Sequence, residues 1–448
     1  MKILKDLKGN QNIVTSIATG PSGRVSKITI TGCQTLSEGA ADHTRSERSV
    51  RALALPVLLM FLLSLSSIQA GRRDPETFRV RILYIGDGWG PSPVPKFQVD
   101  PAFTCLSIPA SQFHVGHGVT TFDIPTMRRF VRLYMPRTFD SLLGGSDLLI
   151  FSDANVAFMG NDHLRWFREA LLEHGLGIVM VGGLETFGAP RALPWTPLED
   201  LLPVDFVMGP PVQRSFKLRT AIEHPFTESL PWNTMPYFHS TNKVTLKQSA
   251  TLLMTSDQIT QPPLSYADFG EGRSVAHSMD WTPGAGRDVM EWEYYPDYVA
   301  NIAFLATRNE IPQDAELLHE LRVNFWTTTS RLTIVVDTLG FVERFGANTR
   351  DVEDRLGEVT EMITRAEELY IEQEYQGSRE LIYGIDELII DLNEEEIDLK
   401  DRALFWVYLT EWTVTTGAAL LAGSVLWSLM VRRRLYREVG TTRTGTKS

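Results

Sequence analysis

Three features of the sequence predict an α/β fold on a parallel sheet, followed by an α-helical hairpin and one transmembrane helix. The apolar runs at 146–152 and 178–181 flank a helical pattern at 162–174. Strand, helix and strand in that order make a right-handed βαβ unit and imply parallel pairing. After Pro312 the apolar residues fall at three-and-four spacing, as in packed helices. Finally, Trp412 to Val431 is uncharged and is followed at once by Arg432, Arg433, Arg434 and Arg437. That length of apolar chain suffices to span a bilayer, and the arginines place its far end on the cytoplasmic side.

In chain order, Phe78 to Ile85 (FRVRILYI) reads as a first strand, and Gly86-Asp87-Gly88-Trp89-Gly90 as the turn leaving it. Ser146 to Ser152 (SDLLIFS) is the second strand. In the helix that follows, Leu164, Phe167, Ala170 and Leu171 share one face, with Asn161 or Asp162 as N-cap. Ile178 to Val181 is the third strand, and it opens onto Gly182-Gly183. Residues 190–270 are mixed, with Pro-rich turns and short strands such as Ala250–Met254. Arg273 to Met279 is a late strand leading into Asp280-Trp281, and Tyr298 to Thr307 is the closing helix.

The hairpin, or short coiled bundle, rests on three stripes: Leu318, Leu321, Phe325, Leu332, Val336 and Leu339; then Val352, Leu356, Val359, Ile363 and Ala366; then Ile382, Ile385, Ile389 and Leu392. The acidic run Asp391–Asp401 lacks the glycine and alternating oxygens of a calcium loop and reads as a solvated helix outside the membrane. Ala418 and Ala422, with Ala419 and Gly423, put small residues on one membrane face, which permits close helix pairing.

The chain has 448 residues and a net charge of −12. The imbalance lies in residues 71–431, where 29 basic and 50 acidic groups give a net of −21. Such a surface repels nucleic acid, which is excluded as a partner. Ala52 to Ala70 is apolar, follows Arg45, Arg48 and Arg51, and ends in small residues, so 51–70 reads as a signal peptide or signal anchor. Residues 1–50 read as a polar, disordered leader, or as an artefact of start assignment. The expected organisation is then an α/β domain over 71–310, a helical stalk over 311–404, a transmembrane helix over 405–431 and a basic tail over 432–448. Residues 71–410 are expected outside the cytoplasm and the tail inside.

Cys33 and Cys105 are the two cysteines. If the signal is cleaved, Cys105 is left without an intrachain partner. Its apolar neighbours make it a structural thiol rather than a nucleophile. His114-Val115-Gly116-His117 offers two metal ligands, but no third is visible and Gly116 argues for a loop. No metal and no cofactor is expected.

The middle of the chain resembles the glutamine amidotransferase-like family, a branch of the class I amidotransferase-like superfamily with a flavodoxin-like sheet. The residues that carry the resemblance are Asp147 to Asn155 (DLLIFSDAN), Gly182-Gly183 with Thr186-Phe187-Gly188, Leu202-Pro203-Val204, His224-Pro225, and Gly270-Glu271-Gly272-Arg273 leading to Asp280-Trp281. They cover roughly residues 78–307. The resemblance implies a flavodoxin-like fold. Active members carry a Gly-x-Cys-x-Gly elbow and a later His-x-Glu pair. Here Val181, Gly182 and Gly183 stand at the elbow, and His277 is followed by Ser278 and Met279. Glutamine hydrolysis by a Cys–His route is therefore not expected.

In open parallel sheets ligands sit beyond the carboxyl ends of the strands. The candidate ligand-binding residues are accordingly Asp87 and Trp89 after the first strand, Asp153 and Asn155 after the second, Gly182, Gly183, Glu185 and Thr186 after the third, and Asp280 and Trp281 after the late one. Carboxylates beside rings suit a sugar, an amine or a divalent cation, whereas the same aspartates also serve as turn caps. The leading expectation is a non-catalytic ligand-binding or assembly module, anchored in the lipid bilayer, with a membrane-protein partner or a second copy engaged through the stalk and membrane helix. The alternative is a cell-envelope or carbohydrate-directed hydrolase using the rim carboxylates. A solute sensor would need a partner, because the short tail carries no signalling domain.

Overall fold

Unbroken apolar runs make central strands that are covered on both faces. The computed structural model describes residues 71–88, 92–111, 123–188, 196–282, 286–345 and 349–442, all of them in the unit Gln69–Ser448. The expectations for the leader, the 51–70 segment, Trp89 and the two histidines at 114 and 117 lie outside the described residues.

Four parallel strands form the centre: β1 (Val80–Gly86), β3 (Leu148–Ser152), β4 (Gly177–Val181) and β12 (Gly272–His277). β2 (Phe103–Pro109) joins β1 in parallel at one edge. Beyond β12 come β11 (Leu264–Phe269), β10 (Thr251–Thr255) and the two-residue β7 (Arg219–Thr220), all antiparallel. The sheet thus has eight strands in the order β2-β1-β3-β4-β12-β11-β10-β7. Residues 204–246 add two small sheets, β5 (Val204–Phe206) with β9 (Val244–Leu246) and β6 (Val212–Phe216) with β8 (Phe238–Thr241).

Alternate residues of the central strands face opposite cores. Val80, Ile82, Tyr84, Leu148, Ile150, Val179 and Val181 point to one, and Leu83, Ile85, Leu149, Phe151, Ile178 and Met180 to the other. The first core is covered by α1 (Val94–Val99) and α5 (Tyr295–Ala306). The second is covered by α2 (Ile124–Tyr134), α3 (Phe139–Gly145) and α4 (Asn161–His174). The helix expected at 162–174 begins at Asn161, but its N-cap is Gly160 and no side chain caps it. It ends on Gly175 in the left-handed region at φ 70°, the usual helix stop.

Of the hairpin and the short coiled bundle that the stripes allow, the structure forms a bundle of three helices. α6 (Ala315–Val342), α7 (Arg350–Ile371) and α8 (Tyr375–Thr442) pack around Leu321, Phe325, Leu339, Leu356, Val359, Ile382, Ile385 and Ile389. The third stripe of the sequence is the third wall of this bundle. Two antiparallel helices alone would leave it exposed, and apolar burial draws the chain back a third time. Leu332 and Val336, expected inside, are half-buried against the core. α8 then runs without a break through 405–431 and contains the one described helix long and apolar enough to cross a membrane.

The bundle is tied to the α/β layers by a buried charge cluster. Arg322 on α6 donates from Nε to Asp100 (2.7 Å) and from Nη1 to Asp297 on α5 (2.7 Å). His319 bonds the other oxygen of Asp297 at 2.8 Å.

Candidate functional site

The central strands end level with one another. Gly86 of β1 pairs with Ser152 of β3, Ser152 with Val181 of β4, and Val181 with His277 of β12. The residues that follow these four therefore emerge at one rim, as the strand-end rule requires. Asp87, Asp153, Asn155, Glu185, Thr186 and Asp280 are all buried there.

Hydrogen bonds knit several of them together. The Asp87 amide donates to the Ser152 carbonyl at 2.7 Å. Asp153, in the left-handed region at φ 48°, accepts the Glu185 amide on Oδ1. The Glu185 carboxylate accepts from Asn155 Nδ2 at 2.9 Å and from Ser111 Oγ at 3.1 Å. Asn242 clamps the glycine turn, accepting the Gly183 amide at 2.9 Å and donating to the Gly183 carbonyl at 3.0 Å. Asn242 lies just after β8 and Ser111 just after β2, and neither carries a local sequence signal.

The turn after β4 is pressed flat against its neighbours. The Gly182 amide donates to the carbonyls of His277 (2.7 Å) and Met279 (3.0 Å). A Cβ on Gly182 would stand 2.4 Å from the Ser278 carbonyl oxygen and 2.7 Å from Asn242 Oδ1. A Cβ on Gly183 would stand 2.4 Å from Asp153 Oδ1. Val181, the third elbow position, is fully buried with its side chain in the core.

His277 is also enclosed. Its Nδ1 lies 2.9 Å from the Met279 carbonyl and its Nε2 2.7 Å from the Tyr298 hydroxyl. A carbonyl only accepts, so Nδ1 carries the proton and Nε2 accepts from Tyr298. Burial lowers the imidazole pKa to about 4, so the ring is neutral. Trp281 belongs to the core beneath the rim, with 0 % exposure. Its indole N–H serves Ser152 Oγ (3.0 Å) and the Tyr84 hydroxyl (3.3 Å).

Burial pushes the Asp153 carboxyl well above the ordinary range, and Asp280, Glu185 and Asp87 add to the shift by like charge. Burial raises Asp280 to about 6, against the hydrogen bonds it accepts from the Thr282 amide and hydroxyl. A carboxyl with a raised folded pKa holds its proton more tightly folded than unfolded. Stability is therefore lost as pH rises from about 4 through about 6. Asp280→Asn keeps an oxygen for Thr282 and cannot ionise. It is expected to gain on the order of 1–3 kcal/mol at pH 7.5 and little at pH 3.5, read by denaturant titration at both pH values.

Among the described residues, the one trio of acid and histidine groups close enough to share an ion is Glu169, Glu173 and His174, exposed on α4. A cavity of about 640 Å³ opens at the opposite end of the sheet, where Arg273 and Arg308 are both spent on Asp268. Cys105, on β2, is half-buried and burial pushes its thiol pKa up, as suits a structural thiol.

A family model described as "Putative glutamine amidotransferase" matches residues 141–307. The matched stretch holds β3, β4, β12 and most of the rim. No curated protein matches the chain. Among solved structures, the cytoplasmic protein STM1381 from Salmonella typhimurium LT2 is 20% identical, with a TM-score of 0.41, over 50% of this chain and 99% of that one. The cytoplasmic protein STM3548 from Salmonella typhimurium is 18% identical with the same score, over 51% and 99%. A β-galactosidase from Bacillus circulans sp. alkalophilus is 10% identical with a score of 0.27, over 52% and 32%. Likenesses this distant carry no argument about activity.

Proposed function

We propose that this chain is a membrane-anchored, amidotransferase-like domain that binds or assembles rather than catalyses. The observation that carries this reading is the filled elbow: neither glycine position after β4 has room for a nucleophile's Cβ. A Cys–His mechanism needs a thiolate within reach of an accessible imidazole, and His277 is buried and bonded at both nitrogens. The parallel strand order β2-β1-β3-β4-β12 is that of flavodoxin-like sheets and supports the family resemblance. The apolar stretch of α8 and the arginines after it support a single span with the α/β domain outside the cytoplasm. The domain organisation given above, with the stalk read as a three-helix bundle, goes with this reading.

Native purification in mild detergent, with the mass of the intact particle, tests the assembly role. Recovery with other membrane proteins or a second copy at fixed stoichiometry is the expected result. Recovery as a lone monomer would remove assembly and leave ligand binding.

A second reading keeps catalysis. Asp280, raised to about 6 by burial, has the profile of a general acid. A carbohydrate-directed hydrolase would then use Asp280 with Asp153 or Glu185. Turnover of a glycoside that falls in Asp280→Asn would favour it.

A further inference from the structure

We propose that the rim holds an organic ammonium group, seated beside Asp153 and Asp280 and bonded to the Tyr295 hydroxyl. This rests on the binding-module reading and names the chemistry of its ligand. Asp153 and Asp280 are both buried, and among the described residues no basic side chain acts on either. A buried carboxylate without a cation is costly. Its presence in a folded chain calls for a positive partner or a held proton.

An independent observation points the same way. The Tyr295 hydroxyl, at the start of α5 and within electrostatic reach of Asp280, is buried and has no hydrogen-bond partner. The Thr186 hydroxyl, at the end of the glycine turn, is likewise buried and without a partner. Buried hydroxyls are ordinarily satisfied. Tyr295, within electrostatic reach of Asp280, and Thr186, on the turn that enters the rim, offer two open hydroxyls that can accept from N–H donors. Among the described residues no three rim acids are close enough to share a metal ion, so the proposed ligand is an organic cation rather than a bare divalent ion. An ammonium group needs only two or three acceptors and brings its own donors.

The test uses the full chain in mild detergent, with glucosamine and ethanolamine as probes and glucose and N-acetylglucosamine as neutral controls. Binding is read by calorimetry and melting by a thermal scan. The expected result is saturable binding of at least one amine and none of the neutral sugars. Asp153→Asn and Asp280→Asn should abolish it. Tyr295→Phe should weaken it about tenfold, the loss of one hydrogen bond to a charged group. The same variant should melt at an unchanged or higher temperature, since it removes an unsatisfied hydroxyl. Tyr295→Phe keeps the test valid if an aspartate variant fails to fold.

Absence of binding by both amines, equal binding of glucose, or wild-type affinity in Tyr295→Phe would each overturn the proposal. Ammonia release from glutamine by the same preparation would instead overturn the binding-module reading, so the two failures are distinguishable.

Discussion

Arg322→Ala is expected to cost about 3–5 kcal/mol, the toll of leaving buried carboxylates without their cation. Arg322 is 5 % exposed and serves Asp100 and Asp297 at 2.7 Å each. Removing it leaves two negative groups in an interface that excludes water, with His319 alone beside Asp297. The damage falls where the bundle meets the α/β layers. α6 should therefore become open to protease before the central sheet does, a local rather than global opening. Arg365→Ala, which breaks an exposed pair with Glu368 on α7, should change nothing measurable. Urea titration with limited proteolysis reads both. An Arg322→Ala protein as stable as wild type would show that the bundle is held by its apolar contacts alone.

Gly182→Cys is expected to destabilise the fold by about 1–3 kcal/mol or more and to confer no glutaminase activity. The first atom its Cβ would meet is a backbone oxygen of the neighbouring strand end, which cannot swing aside as a side chain does. Relief would require parting β4 from β12, at the expense of the hydrogen bonds from the Gly182 amide to His277 and Met279. A thiol introduced there would also find His277 buried and already bonded. Thermal melting and an ammonia-release assay check the two halves. A Gly182→Cys chain that melts like wild type and hydrolyses glutamine would show that the elbow is open.

The parts of the fold that were legible in the sequence are those where burial is two-sided. β3 and β4 are buried at every position, so their runs are unbroken and their ends are sharp. β2 was not legible. It is an edge strand whose outer residues Thr104 and Leu106 are exposed, and it reads as neither an apolar run nor a clean alternation. The antiparallel extension was seen only at β10, because Leu264–Phe269 mixes polar and apolar residues and pairs through a tight hairpin with β12. The third bundle helix was legible as a stripe but not as a wall. Periodicity gives a buried face without naming its partner.

The rim shows the same division. Asp87, Asp153, Glu185 and Asp280 follow strands that were recognised, and the strand-end rule brings them to one place. Ser111 and Asn242 reach the rim from an unrecognised edge strand and a small accessory sheet, and Tyr295, in the first turn of α5, is buried within electrostatic reach of Asp280. Sequence spacing carries no record of those approaches. Trp281 was legible as a rim residue but not as core, because its place beneath Ser152 and Tyr84 depends on how β1, β3 and β12 pack.

A domain that resembles an amidotransferase but lacks its chemistry should leave glutamine intact, and glutamine hydrolysis is the measurement that decides this. The purified full chain, folded by circular dichroism, is incubated with saturating glutamine at pH 7.5 and released ammonia is followed with time. The expected result is no release above the rate of buffer alone, with or without added amine ligand. Sustained release that disappears in Asp153→Asn or Asp280→Asn would contradict it and place a working active site at the rim.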